Sequence, residues 1–347
     1  MLKRCIGLLM LGGLLALFAV GCGQSGTSAG SGSQQGAQVQ EQKPAAKKVL
    51  KLSSVLPEGH PTHEAMVFFA NQVKDKTKGE IEIQVFPNSQ LGEQRDALEG
   101  MKVGTLEMAM VAAGPLGQFV PTVDVLNLPY IFRDLDHLHK ALDGDPGKKL
   151  SGDIQKAGYE FLFWMDSGSR NVINNKRPIY KPEDLKGLKI RVMTNKLMVD
   201  TLNRMGAIAT PMGQGEVYSA LQQGVIDGWE NNPPTLLTLK LYEVSKYFSW
   251  TRHFIIPDVV LMSKKVFDGL TPEQQKAVKE AASEAMAKQR ELWANFETKS
   301  VEELKQKGIQ FNDVPDITPF VERVKPVWET YTSKFGTELV EAIQKVK

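Results

Sequence analysis

The sequence predicts a two-domain α/β fold bridged by one very long helix, and three observations predict it. Strand-like and helix-like stretches alternate from Val49 onward, the arrangement that builds sheets covered by helices on both faces. With 347 residues, 42% of them hydrophobic and 24% charged, the chain exceeds what one compact core ordinarily holds. Near its end, Thr271-Pro272-Glu273-Gln274 supplies an N-cap, a proline at the first helical position and a capping-box partner. No Gly or Pro follows until Gly308, so the helix runs about 36 residues, roughly 54 Å at 1.5 Å per residue. A single domain here is only about 40 Å across, so this helix touches both domains or protrudes.

Taken in order, the chain opens with the basic Met1-Leu2-Lys3-Arg4 and an apolar run from Ile6 to Val20 ending in Gly21-Cys22. That is an export signal over residues 1–22, too short to cross a hydrocarbon core of about 30 Å. Small residues ahead of Cys22 resemble a bacterial lipobox, with Ala19 where Leu is commonest; Cys22 would become the acylated N-terminus, the alternative being an ordinary secretory signal. Residues 23–48 are rich in Gly, Ser and Gln and read as a flexible leash with a reach on the order of 28 Å. Gly26-Thr27-Ser28-Ala29-Gly30 spells a hydrolase nucleophile elbow, but that device needs a strained strand-to-helix turn and this one sits in low-complexity linker.

Several function classes drop out on composition. The only other cysteine, Cys5, leaves with the signal, so disulfides and thiol nucleophiles are excluded. A net charge of +2 with both signs interspersed gives no footprint for nucleic acid. Gly147-Lys148 lacks the preceding glycine of a phosphate loop, and His60, His63 and Glu64 lack the spacing of a metalloprotease helix. Neither a cofactor nor a metal site is expected.

Beyond the leash, Val49–Val55 reads as a buried strand and Thr62–Lys76 as a helix with Met66, Phe69, Ala70 and Val73 on one stripe. Ile81–Val85 follows as an alternating strand. Further strands are expected at Met108–Val111, Phe161–Met165, Lys189–Met193, Val225–Ile226, Tyr247–Trp250 and Val259–Met262, in mostly parallel sheets. His137 and His139 read as exposed helix residues. Ligands in such folds sit beyond the carboxyl ends of strands, which makes the cleft between two sheets the natural site.

Gly168-Ser169-Arg170, the run Asp184-Leu185-Lys186-Gly187-Leu188-Lys189-Ile190-Arg191-Val192, Pro211-Met212 with Glu216-Val217-Tyr218, Asp227-Gly228-Trp229-Glu230-Asn231, Tyr242-Glu243-Val244 and, upstream, Pro87-Asn88-Ser89-Gln90-Leu91-Gly92 occur in this order. Together they resemble the extracytoplasmic receptors of tripartite ATP-independent periplasmic (TRAP) transporters of the dicarboxylate-binding type, over nearly the whole chain after Lys48. The resemblance implies a periplasmic-binding-protein-like fold with residues 49–167 plus 257–296 as one domain and 168–256 plus 297–347 as the other. It also implies a small organic acid as ligand, a small and a large membrane subunit as partners, and sodium-coupled uptake without ATP.

In the family the arginine of the Lys-Gly-Leu-Lys-Ile-Arg run grips the ligand carboxylate, here Arg191. A guanidinium presents a planar fork that matches both carboxylate oxygens, although alternation alone favours a solvated sheet edge for this side chain. Arg170 resembles the second arginine of the family. Asn231 would offer an amide to the same ligand, or form a turn ahead of Pro233. Gln94 lies where related receptors bind a hydroxyl, with Glu93 competing if the register shifts by one. His60 would reach the cleft or sit in a surface turn, and His253 matches a position that orders water near the anchor arginine. Arg170-Asn171-Val172 and Asn231-Asn232-Pro233-Pro234 look most like the hexuronate branch, which binds glucuronate or galacturonate. Trp229 and Gln94 depart from it and leave a C4-dicarboxylate open. A secreted uronate-acting enzyme is the rival class, but the required catalytic constellations are absent.

Overall fold

The computed structural model describes residues 47–347; the signal segment, Cys22 and the leash up to residue 46 lie outside the described residues. Two sheets organise the chain. The first has the order β2-β1-β3-β10-β4 and joins β1 (Lys48–Ser53), β2 (Ile81–Phe86), β3 (Met108–Ala112), β4 (Tyr159–Met165) and β10 (Asp258–Ser263). The second has the order β11-β9-β5-β8-β6-β7 and joins β5 (Ser169–Asn174), β6 (Lys189–Val192), β7 (Ile208–Pro211), β8 (Gly228–Asn231), β9 (Tyr247–Ile255) and β11 (Gln310–Asp313). Around them lie α1 (Pro61–Lys76), α2 (Gln94–Val103), α3 (Ala113–Leu116), α4 (Leu135–Asp143), α5 (Asp145–Lys156), α6 (Lys196–Met205), α7 (Val217–Gln222), α8 (Pro233–Thr238), α9 (Lys264–Asp268), α10 (Pro272–Gln306), α11 (Thr318–Phe335) and α12 (Glu338–Gln344).

The sheets are mixed rather than mostly parallel. β1 pairs in parallel with β2 and β3, but β10 is antiparallel to both its neighbours and β5 is antiparallel to β8 and β9. The antiparallel pairings cluster at the crossings: β5 and β10 are the strands the chain enters when it passes from one sheet to the other. The strand expected at Val225–Ile226 does not form. Those residues close the end of α7, where Gly224 adopts φ +70° and the Val225 amide donates to the Ala220 carbonyl at 2.9 Å, a helix exit rather than an extended run.

The long helix is present as α10, 35 residues, capped as its sequence implies: Thr271 Oγ1 accepts from the Gln274 amide and Gln274 Oε1 from the Thr271 amide, both at 3.2 Å. Its first half buries Val278, Ala281, Ala282 and Ala285 in the core that also holds Met66, Phe69 and Val73 of α1. Its far end buries Leu304 among Trp229, Phe248 and Ile309 of the second lobe. Between these, Gln289 donates to the Asp166 carbonyl at 2.9 Å and accepts from the Asp166 amide at 2.8 Å, tying the helix to the crossing between β4 and β5. Gly168, at φ +57°, lies so close to Trp293 that a Cβ there would meet the indole at 2.8 Å, so only glycine fits.

The end of the chain packs on α6 but also reaches first-lobe elements: Tyr331 donates to the Thr122 carbonyl at 3.2 Å and Trp328 to that of Pro129 at 3.0 Å. His137 is therefore buried, its Nε2 2.9 Å from the Ile343 carbonyl, and His139 pairs with Asp166 at 2.6 Å. The expectation that both histidines are exposed fails because the Ile343 carbonyl of α12 covers His137 and Asp166, at the end of β4, draws in His139, which stays half-buried.

Candidate functional site

Two arginines face the junction of the lobes. Arg191 stands on β6, where Ile190 and Val192 are buried in the core, and it is itself only 2% exposed. Its Nε and Nη2 donate to the Met212 carbonyl at 3.0 and 2.8 Å, and Nη1 reaches Gln214 Oε1 at 3.4 Å. All of these acceptors are neutral, and among the described residues no ion pair includes this guanidinium. Burial pulls its pKa down to about 10, with Arg170 pulling the same way and Glu230 opposing, so it still carries its charge at neutral pH.

Arg170, on β5, is buried as deeply, but its charge is already met. Its Nε and Nη2 grip the two oxygens of Glu230 at 2.5 and 2.8 Å, Nη2 also donates to the Glu230 carbonyl at 2.8 Å, and Nη1 reaches Asn231 Oδ1 at 3.2 Å. Burial pushes Glu230 upward, but Arg170 and His253 together outweigh it and hold the carboxyl below its ordinary range. The antiparallel register of β5 and β8, with Asn171 opposite Asn231, brings these groups together.

Two adjoining voids of about 40 and 30 Å³ occupy this junction, well below the range for small-molecule sites. Arg191 lines one with Glu93, Gln118 and Met212; Arg170, Asn231, Thr235 and Asp258 line the other; Gln94, Met193 and Gln214 border both. The first lobe contributes α2. Gln94, at its first position, accepts from the Ala112 amide at 2.6 Å, which fixes its orientation at the wall between the voids. Glu93 reaches across to the other lobe, its carboxylate accepting from the amides of Gln214 and Gly215 at 3.0 and 2.9 Å. A Cβ at position 213 or 215 would come within 2.8 or 2.9 Å of the Glu93 side chain, so the glycines flanking Gln214 permit this approach.

Residues 52–334 match the model of the bacterial extracellular solute-binding protein family 7. The chain belongs to that family. It is accordingly a solute-binding receptor rather than an enzyme. A solute-binding protein of Chromohalobacter salexigens is 36% identical over 281 residues, 81% of this chain and 84% of its own. Among solved structures, a TRAP periplasmic solute binding protein of a Sulfitobacter species with bound β-D-galacturonate superposes with a TM-score of 0.84 at 39% identity, covering 86% of this chain and 99% of that one. A counterpart from Citrobacter koseri with bound D-glucuronate gives 0.83 at 40% identity, covering 86% and 100%.

Of the residues singled out in the sequence of this family 7 receptor, Arg191, Arg170, Asn231, Gln94 and Glu93 converge on the two voids. His60 does not line them. It caps α1, its Nδ1 accepting from the Thr62 amide at 3.1 Å, while Nε2 lies 3.3 Å from Thr235 Oγ1 of the second lobe. Burial, reinforced by His63, lowers its pKa to about 3 and keeps it neutral. His253 stands elsewhere than expected: fully buried, its Nε2 is 3.7 Å from Glu230 Oε2 and its Nδ1 2.8 Å from Thr251 Oγ1. It therefore accompanies the counter-ion of Arg170 rather than Arg191, because β9 runs beside β5 and not beside β6.

Sequence reasoning missed Glu230, Gln214 and Asp258. Two of these left a legible trace: an acid opens the wholly apolar run Val259–Met262, and another sits between buried Trp229 and Asn231. A buried acid in a strand implies a partner or a task.

Proposed function

We propose that this chain is the receptor of a TRAP transporter for a hexuronate, glucuronate or galacturonate, which it hands to a small and a large membrane subunit. The observation that carries the reading is the contrast between a cancelled charge and an uncancelled one: Arg191 is buried, cationic and held only by neutral acceptors, whereas Arg170 is neutralised by Glu230. One unpaired buried guanidinium calls for one carboxylate, and a fork already half occupied by the Met212 carbonyl leaves Nη1 and the outer face of the group for it. The likeness to receptors solved with galacturonate and glucuronate supports the solute class.

In this reading Arg191 grips the carboxylate, Arg170 and Asn231 shape the floor, and Gln94 binds a hydroxyl. Closure about the crossings near residues 167–168 and 256–257, between domains 49–167 plus 257–296 and 168–256 plus 297–347, brings in Glu93 and His60, with His253 supporting Glu230 from behind. The chain is exported and tethered to the outer face of the cytoplasmic membrane, or held in the periplasm, through acylated Cys22; replacing Cys22 with Ala should abolish fatty-acid labelling in cells. Titration calorimetry tests the solute. D-glucuronate or D-galacturonate should bind, and Arg191→Ala should weaken binding at least about thirtyfold, since truncating one partner of a buried charge pair costs about 2 to 5 kcal/mol. Failure of every hexuronate to bind, or binding indifferent to Arg191→Ala, overturns the proposal.

A further inference from the structure

We propose that Asp258 is the specificity residue of this site, accepting hydroxyls at the end of the ligand remote from its carboxylate and rejecting ligands that carry a second carboxylate there. The inference rests on the reading of the site as a hexuronate receptor and deepens it.

Asp258 opens β10, the crossing strand that enters the centre of the first sheet, with Ala112 of β3 paired on one side and Met165 of β4 on the other. It is 5% exposed and lines the void shared with Arg170, Asn231 and Gln94. Unlike Glu230, it is in no ion pair among the described residues; Ser167 is its hydrogen-bonding neighbour. The charged group that faces it is Arg170 from β5, whose guanidinium is committed to Glu230. Burial, opposed by Arg170 and Ser167, pushes its pKa up to about 7.

The two voids thus have opposite ends: an uncancelled cation at Arg191 and an unpaired carboxyl at Asp258, with Gln94, Met193 and Gln214 between them. A molecule with a carboxylate at one end and hydroxyls at the other satisfies both, since a carboxylate accepts from two hydroxyls at once. A diacid of the same length brings two carboxylates together in a buried site, the repulsive element by which sites discriminate.

The test compares D-glucuronate with D-glucarate, an open-chain diacid that carries a second carboxylate where glucuronate has its anomeric carbon, and reads how Asp258 changes the preference between them. Calorimetry at pH 8 on the wild-type protein should show glucuronate bound at least about a hundredfold more tightly. Asp258→Asn, which keeps the shape but replaces one acceptor oxygen and the charge with an N–H donor, should weaken glucuronate about tenfold and shrink the preference to within about tenfold. In the wild type, the preference should also narrow at pH 5.5, where Asp258 is protonated while His60 remains neutral, a measurement that stands if the variant does not fold. A preference unchanged by both Asp258→Asn and pH, in a protein that binds glucuronate through Arg191, overturns the assignment of Asp258 alone. A wild-type protein that binds no hexuronate at all removes the reading on which the assignment rests.

Discussion

Arg170 and Arg191 lie on neighbouring parts of one sheet and are buried to the same degree, 3% and 2% exposed, yet they belong to different kinds of structure. Arg170 is a finished structural group: two bonds to a carboxylate, one to a backbone carbonyl and one to an amide oxygen. Arg191 has carbonyl and amide acceptors only, so no opposite charge touches it, and Glu230, Glu93 and Glu216 offset its desolvation only from a distance. The difference teaches that depth of burial says little about which arginine binds; the state of its counter-ion does.

The comparison can be broken most forcefully at Glu230. Glu230→Ala leaves the Arg170 charge buried without its partner and should cost about 3 to 5 kcal/mol of stability by urea denaturation; a loss near zero would erase the distinction drawn here. Arg191→Met should do the reverse. Stability of the unliganded protein should fall by less than about 1 kcal/mol or rise, because an uncompensated buried cation is removed, while the glucuronate affinity should drop at least about thirtyfold.

Smaller effects sharpen the same contrast from the first lobe. Glu93 is joined to Arg191 through Gln214, whose amide donates to Glu93 and whose Oε1 faces the guanidinium. Glu93→Gln weakens two charge-assisted bonds that join the first sheet's side to the Met212–Gly215 loop; it should raise the ligand dissociation constant about five- to tenfold and enlarge the unliganded radius of gyration in X-ray scattering.

The last effect is a pH slope. Folded Asp258 holds its proton up to about 7 against 3.8 in the unfolded chain, so its stabilising contribution is full below 3.8 and is lost as pH rises through 7. His60, held at about 3 against 6.5, has the opposite slope: its contribution is full above 6.5 and is lost as pH falls toward 3. In denaturation without ligand, Asp258→Asn should therefore gain on the wild type by up to about 1.4 kcal/mol per pH unit between pH 5 and 7.

Much of this was legible in the residues because the signals were local. The α1 stripe, the capped start of α10 and the alternation of β2 each depend on near neighbours, and each forms within a residue or two of its expected bounds. Arg191 could be named from its motif, although alternation alone pointed it toward solvent; what buries it is the loop at Met212–Gly215 and the α2 corner, both distant in sequence. The antiparallel entries of β5 and β10, the burial of His137 under α12 and the place of His253 beside Glu230 rest on long-range pairings that no short window contains. The pairing of Glu93 with two amides more than a hundred residues away escaped for the same reason.

The amide of Gln289 holds both backbone groups of Asp166, and Trp293, one turn further along α10, fills the space beside Gly168. In the proposed closure this contact is the fulcrum. Any swing of one lobe against the other has to turn about a point that the helix itself pins, so displacement is least there and grows with distance toward the Glu93 corner. A membrane partner that touched only that outer rim would sense the largest travel the receptor makes, and a methyl group added at Gly168 would jam the joint without touching a single ligand contact.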